Sequence, residues 1–516
     1  MNRDIIIGID AGTSLIKAVA FSLNGKELAI SSTTNDYKTN SNGHATQSLN
    51  KTWENCIKVI KELREKLPDI DNKICLISVT GQGDGTWLID KNGDPVCDAW
   101  LWLDSRSSKE AEEISKLNSE NERFMATGTG MFSGQQSSQL VFMEKNHPEL
   151  LDKARSAFHC KDWLYYKLTG VVATDPSESC FTFGNFRTQD YDKNVISGLG
   201  LSNRSYLMPE IINGSKKTHS LNDHASKMLG LKNGIPVALS YIDAVCTFLG
   251  SGGYEKNKDV GNSSLGTTSG HMKASLISDI NPNLDLKSGY VMLLPIDNTA
   301  IQFQTNMSGM INIDWLKNLV EDIFTDFDCD FDEKKFLTNI DNWLNSSKPA
   351  KLLYHPYISE AGERGPFINS KAQASIIGLE SNHKFPELIR SFVEGLCYAA
   401  RECYLAMGTI PKEIRLAGGG AKSSSIRNIF SAILKTNIRT VNRKEAGAAG
   451  AAMTGSMALE LYQDWDSCVN EWVKPYLGAE EVYNNKYSEV YDKMFAVYLN
   501  SRDKVVPIWD QLNKKY

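Results

Sequence analysis

Residues 5–21 read Ile5-Ile6-Ile7-Gly8-Ile9-Asp10-Ala11-Gly12-Thr13-Ser14-Leu15-Ile16-Lys17-Ala18-Val19-Ala20-Phe21, and this stretch decides the fold. An apolar run ends at Asp10, turns through Ala11, Gly12, Thr13 and Ser14, and leaves as a second apolar run. Two strands joined by a tight turn is the direct reading, and Asp and Gly are ordinary residues for such a turn. The lip of the turn has a second use: its backbone N–H groups can hold phosphate while Asp10 reaches a metal ion. The turn alone does not choose between the two readings, so the choice falls to the rest of the chain. Asn24-Gly25 follows and turns the chain into a third strand at 27–30, completing a meander.

A chain of 516 residues exceeds what one hydrophobic core usually fills, so two domains are expected, 1–254 and 255–516. The composition, 41% hydrophobic and 23% charged, is that of a soluble globular protein. A net charge of -6 with scattered lysines and arginines argues against a nucleic-acid or anionic-membrane binder. The apolar run after Met1 stops at Asp10, too short for a signal peptide, and the small-residue run 446–459 is too short and too broken to span a membrane. A cytoplasmic location is expected. The ten cysteines lie far apart without a C-x-x-C pair, which favours buried reduced thiols over disulfides or zinc.

Helical periodicity runs over 53–67 until Pro68, and a strand at 74–80 leads into Gly81-Gln82-Gly83-Asp84-Gly85. Residues 107–170 are mainly helical, with Lys161-Asp162-Trp163-Leu164-Tyr165-Tyr166 reading as an amphipathic piece. A buried strand at 235–242 delivers Asp243 to the start of a helix, and Gly250-Ser251-Gly252-Gly253 reads as an interdomain hinge. After the hinge the opening pattern returns, because Val260 to Ser269 is again strand, Gly266-Thr267 turn, strand. This repetition suggests two related domains facing one nucleotide across a cleft. The acidic run 326–332 lacks the glycine and the final acid of a calcium loop and reads as a solvated segment.

A third glycine cluster, Gly418-Gly419-Gly420, stands between a strand and a helix beginning near Ser424. It matches neither a dinucleotide fingerprint nor a P-loop, yet its surface lets a nucleotide approach the backbone closely. Asp243 has an ordinary reading as a helix cap and a functional one as the general base that takes a proton from an attacking hydroxyl. At a helix start the dipole is expected to lower its pKa.

In this order, the motifs resemble the FGGY family of carbohydrate kinases over essentially the whole chain. They are Asp10-Ala11-Gly12-Thr13-Ser14, Gly81-Gln82, Trp100 to Arg106, Lys161-Asp162, Asp243, Gly266-Thr267, Gly362-Glu363-Arg364-Gly365-Pro366 with Ile377-Gly378-Leu379, and Gly418-Gly419-Gly420. The resemblance implies an α/β protein of two actin-like, ribonuclease-H-like ATPase domains flanking a deep cleft. It also implies ATP, Mg²⁺ and transfer of the γ-phosphate to a hydroxyl of a small polyol or sugar. Carried over, Asp10 assists the metal, while Thr13, Ser14 and Lys17 contact phosphate. Gly266 and Thr267 form the second phosphate loop, Gly419, Gly420 and Ser424 edge the adenosine, and Asp243 is the base.

Gln82, Asp84 and Trp102 are the expected acceptor-binding set, with Asp243 beside them. Ketose-phosphorylating members carry histidine where this chain has Asp84, whereas an acid there resembles glycerol kinases. The arginine that glycerol kinases place beside that acid is Gly83 here, which is expected to leave room for a longer acceptor. The runs 79–90 and 99–104 are most similar to the erythritol-phosphorylating members, so a four-carbon sugar alcohol is expected. Glycerol, pentitols and L-xylulose are the other acceptors considered, and a non-enzymatic actin- or chaperone-like nucleotide binder is the alternative class. A homodimer is an assembly the sequence leaves open.

Overall fold

A computed structural model describes residues 3–512. The first half is built on β1 (Ile5–Ala11), β2 (Leu15–Ser22), β3 (Glu27–Thr34), β4 (Ile74–Gly81), β5 (His219–Ser220) and β6 (Pro236–Leu239). They form one sheet in the order β5-β6-β4-β1-β2-β3. The three leading strands are the expected antiparallel meander, and β4 and β6 add parallel to it. Helix α1 (Leu49–Lys66) starts earlier than its periodicity implied, because the Ser48 side chain accepts the Lys51 N–H and caps it. Its Trp53, Cys56, Ile60 and Leu63 pack with Ile7 and Ile9 from β1 on one face of the sheet.

The second half repeats this arrangement strand for strand. β7 (Val260–Leu265), β8 (Ser269–Leu276), β9 (Tyr290–Leu293), β10 (Thr299–Asn306), β11 (Glu413–Ala417), β12 (Asn437–Val441) and β13 (Leu477–Glu481) form a sheet in the order β9-β10-β8-β7-β11-β12-β13. Here β7, β8 and β10 are the meander, β11 and β12 run parallel to β7, and β13 closes the edge antiparallel. Only β9 has no counterpart in the first sheet. The hairpin repeat seen in the sequence is thus the visible part of a duplicated sheet.

Helices α2 (Cys160–Thr169) and α3 (Pro176–Phe183) belong to the first half, and α4 (Asp243–Gly250) leaves it after β6. In the second half α5 (Ser424–Leu434) follows the glycine triplet and α6 (Ala446–Ala458) follows β12. Although α6 is late in sequence, its Ala448, Ala449, Ala452 and Met453 pack against Ile6, Val19, Leu76 and Ala238 of the first sheet. A Cβ on Gly8 would stand 2.4 Å from the Ala448 carbonyl oxygen, so β1 takes a glycine where α6 lies flush on it. Likewise a Cβ on Gly450 would meet the Cys246 carbonyl oxygen at 1.9 Å, so α4 and α6 cross backbone to backbone. This crossing explains the small-residue run 446–459: α6 is buried from Gly447 to Ser456 and carries no polar face. Among the described residues no helix is long and apolar enough to cross a membrane.

One expectation fails in α2. The segment Lys161 to Tyr166 is not amphipathic, since Lys161, Asp162, Trp163, Leu164 and Tyr165 are all fully buried. The two charges are inside because they serve one another. All ten cysteines are free thiols, six of them together with Cys397 lying buried and Cys329 exposed on the solvated acidic loop.

Candidate active site

The ends of β1, β4 and β6 in the first sheet and of β7 and β11 in the second converge on a cleft between the halves, the usual place for a ligand in an open α/β sheet. A cavity of about 420 Å³ there is lined from the first half by Thr13, Gln82, Gly83, Asp84, Trp102 and Asp243. The second half contributes Thr268, Tyr290, Phe303, Asn306 and Arg364.

Four residues of the first half are tied by side chains. Thr13 Oγ1–H donates to Gln82 Oε1 (2.7 Å), and Trp102 Nε1–H donates to Thr13 Oγ1 (3.0 Å). Gln82 Nε2–H donates in turn to Gln47 Oε1 (2.8 Å), and Gln47 Nε2–H to the Thr13 carbonyl (3.0 Å). The first turn and the expected acceptor residues are therefore one network, and the Thr13 hydroxyl faces the acceptor side. Gln47 belongs to this set although nothing in its sequence neighbourhood singled it out.

Asp84 sits at φ 54° ahead of Gly85 at φ 73°, a left-handed corner that turns its carboxylate into the cavity. It is only 7% exposed, Oδ2 accepts from the Tyr290 hydroxyl at 3.3 Å, and Oδ1 is buried with no hydrogen-bond partner. Burial pushes this carboxyl up to about 7, partly offset by the Tyr290 hydroxyl and the Arg364 charge. A buried acceptor atom without a donor costs free energy unless a ligand supplies one. The expected extra room at Gly83 is absent, because a Cβ there would lie 1.9 Å from Ile242 Cδ1. Ile242 fills the space that an arginine at 83 would need.

Asp243 is the first residue of α4 and not its cap; Ile242 holds that position, and among the described residues the Asp243 carboxylate accepts only the adjacent Ala244 N–H at 2.7 Å. Its pKa also moves opposite to the helix-dipole expectation. Burial, then the Asp10 charge, raise it to about 7, and the Ala244 N–H recovers only part. Tertiary surroundings outweigh a local dipole at a short helix.

Asp10 is the penultimate residue of β1, opposite Lys17 of β2, and burial raises it to about 6 against the pull of Lys17 and with the push of Glu445. Lys17 Nζ is held by Glu445 Oε2 at 2.8 Å, so in this state Lys17 faces the start of α6. Ser14 is exposed, and its carbonyl accepts the Asn35 N–H at 2.8 Å. On the opposite wall, the Gly266 and Thr267 carbonyls accept N–H bonds from Met310 (2.7 Å) and Gly309 (2.8 Å), which fixes the second turn. A Cβ on Gly418 would stand 2.6 Å from the Leu265 carbonyl oxygen, so the glycine triplet lies flush beside that turn. Gly419 has open space before it, Gly420 is backed by Met310 and Ser424 opens α5 on the exposed side. Gly266, Thr267, Gly419, Gly420 and Ser424 form one surface on the second sheet, beyond the cavity itself.

Behind Asp84 and Asp243 lies a fully buried charge cluster. Lys161 Nζ is 3.0 Å from Asp162 Oδ1, 2.8 Å from Asp175 Oδ2 and in contact with Glu178 Oε2. Glu178 Oε1 accepts the Asp84 N–H at 2.9 Å, and Ser177 Oγ, bonded to Asp175, accepts the Ile242 N–H at 3.3 Å. The cluster thus grips the backbone at both cavity carboxylates. His159, Asp162 and Glu178 have the spacing of a metal trio, but the Lys161 ammonium already holds the cation's place.

Two duplicated sheets that present turns to a cleft with carboxylates on its floor define a two-domain phosphotransferase of actin-like architecture. The chain belongs to the FGGY family of carbohydrate kinases: the family's N-terminal domain matches residues 5–250 and its C-terminal domain residues 261–459. It is 47% identical to the erythritol kinase of Brucella abortus over 99% of this chain and 98% of that protein. A xylulose kinase of Staphylococcus epidermidis is 26% identical over 96% of both chains. The fold matches the crystal structure of a gluconate kinase from Lactobacillus acidophilus with a TM-score of 0.88, at 20% identity over 99% of both chains.

Proposed function

We propose that this kinase transfers the γ-phosphate of ATP to a terminal hydroxyl of erythritol, giving erythritol 4-phosphate. One observation carries the reading: a buried, unpartnered Asp84 carboxylate oxygen faces the same cavity as Asp243. A polyol supplies hydroxyl donors to the first and a terminal hydroxyl to the second. The full-length likeness to an enzyme named for erythritol supports the choice among polyols.

In the proposed reaction Asp84 and Gln82 orient the acceptor while the Trp102 ring covers its carbon face. Asp243 accepts the proton of the terminal hydroxyl as that oxygen bonds to the γ-phosphorus and the bond to the β-γ bridging oxygen breaks, releasing ADP. A base poised near 7 suits transfer at neutral pH. Thr13, Ser14 and Lys17 on one side and Gly266 and Thr267 on the other would hold the phosphates, with Gly419, Gly420 and Ser424 along the adenosine. Asp10 would hold Mg²⁺, and the donor set fits: its desolvated carboxylate lies near enough to Asp243 to raise it, an excess of negative charge a divalent cation would relieve. Mg²⁺ when bound would neutralise phosphate charge. We place the boundary between the units at 254/255, just after the 250–253 glycine segment, and the enzyme in the cytoplasm.

The test is ADP release with erythritol, threitol, glycerol, the pentitols and L-xylulose as acceptors. Erythritol should give the largest kcat/KM. A larger value for L-xylulose or a pentitol would move the assignment to that acceptor, and no acceptor-stimulated release would return the chain to a non-enzymatic nucleotide binder.

A further inference from the structure

The cavity holds two groups whose hydrogen-bonding capacity is unspent, and they come from opposite halves of the chain. Asp84 Oδ1, from the first half, is buried and has no donor. Arg364, from the second, is the single cationic side chain among the described residues lining the cavity. Its guanidinium lies over the Phe132 ring, 4.8 Å from the centroid, and makes no hydrogen bond or ion pair with the described residues. Asp84 senses its charge, which pulls the carboxyl downward against burial.

The wall between the two groups is continuous. Phe132 meets Tyr290 edge-on, with centroids 5.9 Å apart, and the Tyr290 hydroxyl donates to the other Asp84 oxygen. Tyr290 is itself packed by Phe181 and Phe303, so Asp84 Oδ2 is fixed and Oδ1 is left for a ligand. A guanidinium resting on an aromatic face keeps its N–H edge available for a planar array of acceptors. Asp84 accepts and Arg364 donates, and one hydroxyl can do both at once. Two adjacent hydroxyls satisfy the pair better than any isolated one.

We propose that Arg364 is a specificity-determining residue of the acceptor site, reaching across from the second half to grip, together with Asp84, adjacent hydroxyls of the polyol. The assignment rests on the polyol-kinase reading above and deepens it. It makes the acceptor site a shared product of both halves: the acid stands on the first, the guanidinium on the second, and a vicinal diol joins them. The chemistry selected is a run of neighbouring hydroxyls, not merely a chain of suitable length.

Steady-state kinetics with erythritol and with butane-1,4-diol, which has the same chain length and no vicinal pair, test this. The wild type should prefer erythritol strongly. Arg364→Gln should raise the erythritol KM by about 10- to 100-fold, the scale of a lost charge-assisted hydrogen bond, with kcat and the ATP KM little changed. The butane-1,4-diol KM should rise by less, since that acceptor has no vicinal pair to bridge Asp84 and Arg364, so the preference narrows. Arg364→Lys keeps the charge but not the fork and should raise the erythritol KM by roughly tenfold; it carries the test if the Gln variant does not fold. An active wild type whose preference survives both substitutions overturns this assignment alone, as does a loss confined to the ATP KM. A wild type inactive on every vicinal polyol removes the underlying reading and this assignment with it.

Discussion

Asp243→Asn should lower kcat by about 10³-fold, within the range that a positioned general base contributes, while leaving ATP affinity largely intact. The same substitution should raise the melting temperature of the ligand-free protein at pH 8. Asp243 has a folded-state pKa of about 7 against an ordinary value near 3.8. Between those values the folded state holds a proton that the unfolded state has lost, so the contribution of this group to stability falls as pH rises through the window. Asparagine has no such loss, so its advantage appears above pH 4 and is complete above about 7. The wild-type kcat/KM should correspondingly fall as pH drops below about 7, because the proton acceptor is then filled. Equal loss of ATP binding and turnover, together with a lower melting temperature, would make Asp243 a structural element of α4. Activity and stability are expected to move in opposite directions, the signature of a carboxylate kept in a desolvated place for its chemistry.

Lys161→Met is expected to have the largest effect on stability, with opposite sign. Lys161 lies at the centre of Asp162, Asp175 and Glu178, all fully buried. Methionine fills a similar volume but leaves three carboxylates without their ammonium. Breaking a buried ion pair in this way costs about 3–5 kcal/mol, or on the order of 10 °C for a domain of this size. The deficit should shrink on acidification. Without the ammonium the folded-state carboxylate pKa values rise, the folded state binds more protons than the unfolded one, and the variant loses stability as pH increases. Thermal melts of both proteins at pH 5 and pH 8 measure this; a variant melting like the wild type at pH 8 would refute the role given to the cluster. Because the cluster holds the backbone at Asp84 and at Ile242, the surviving folded enzyme should also show a raised acceptor KM.

How far the sequence could be read depended on how local the physics was. The Asp10 turn, the Gly266-Thr267 turn, the Gly418 triplet and the strand leading to Asp243 are local patterns of apolar run and glycine, and each stands at a strand end facing the cleft. The strand order of either sheet was less accessible, since β5, β12 and β13 pair across long separations that leave no mark on the chain. In the site, Tyr290 and Arg364 were missed as acceptor residues. Arg364 lay within a motif already noticed, yet only the meeting of the two halves brings it to Asp84. Lys161 and Asp162 looked like the polar face of a helix because a sequence does not reveal that their partners, Asp175 and Glu178, arrive on the next helix. The same limit explains Asp243: its position at a helix start was legible, but the neighbouring Asp10 and the burial that raise its pKa are tertiary. The room expected at Gly83 vanished for this reason too, filled by Ile242 from a distant strand end.

This cleft moves phosphate from ATP to a sugar alcohol, and the decisive experiment is ³¹P NMR of the protein with ATP, Mg²⁺ and erythritol. A new phosphomonoester resonance should grow in step with ADP and be absent when erythritol is omitted or in Asp243→Asn. Release of inorganic phosphate alone, or ATP left unchanged with erythritol present, would contradict it.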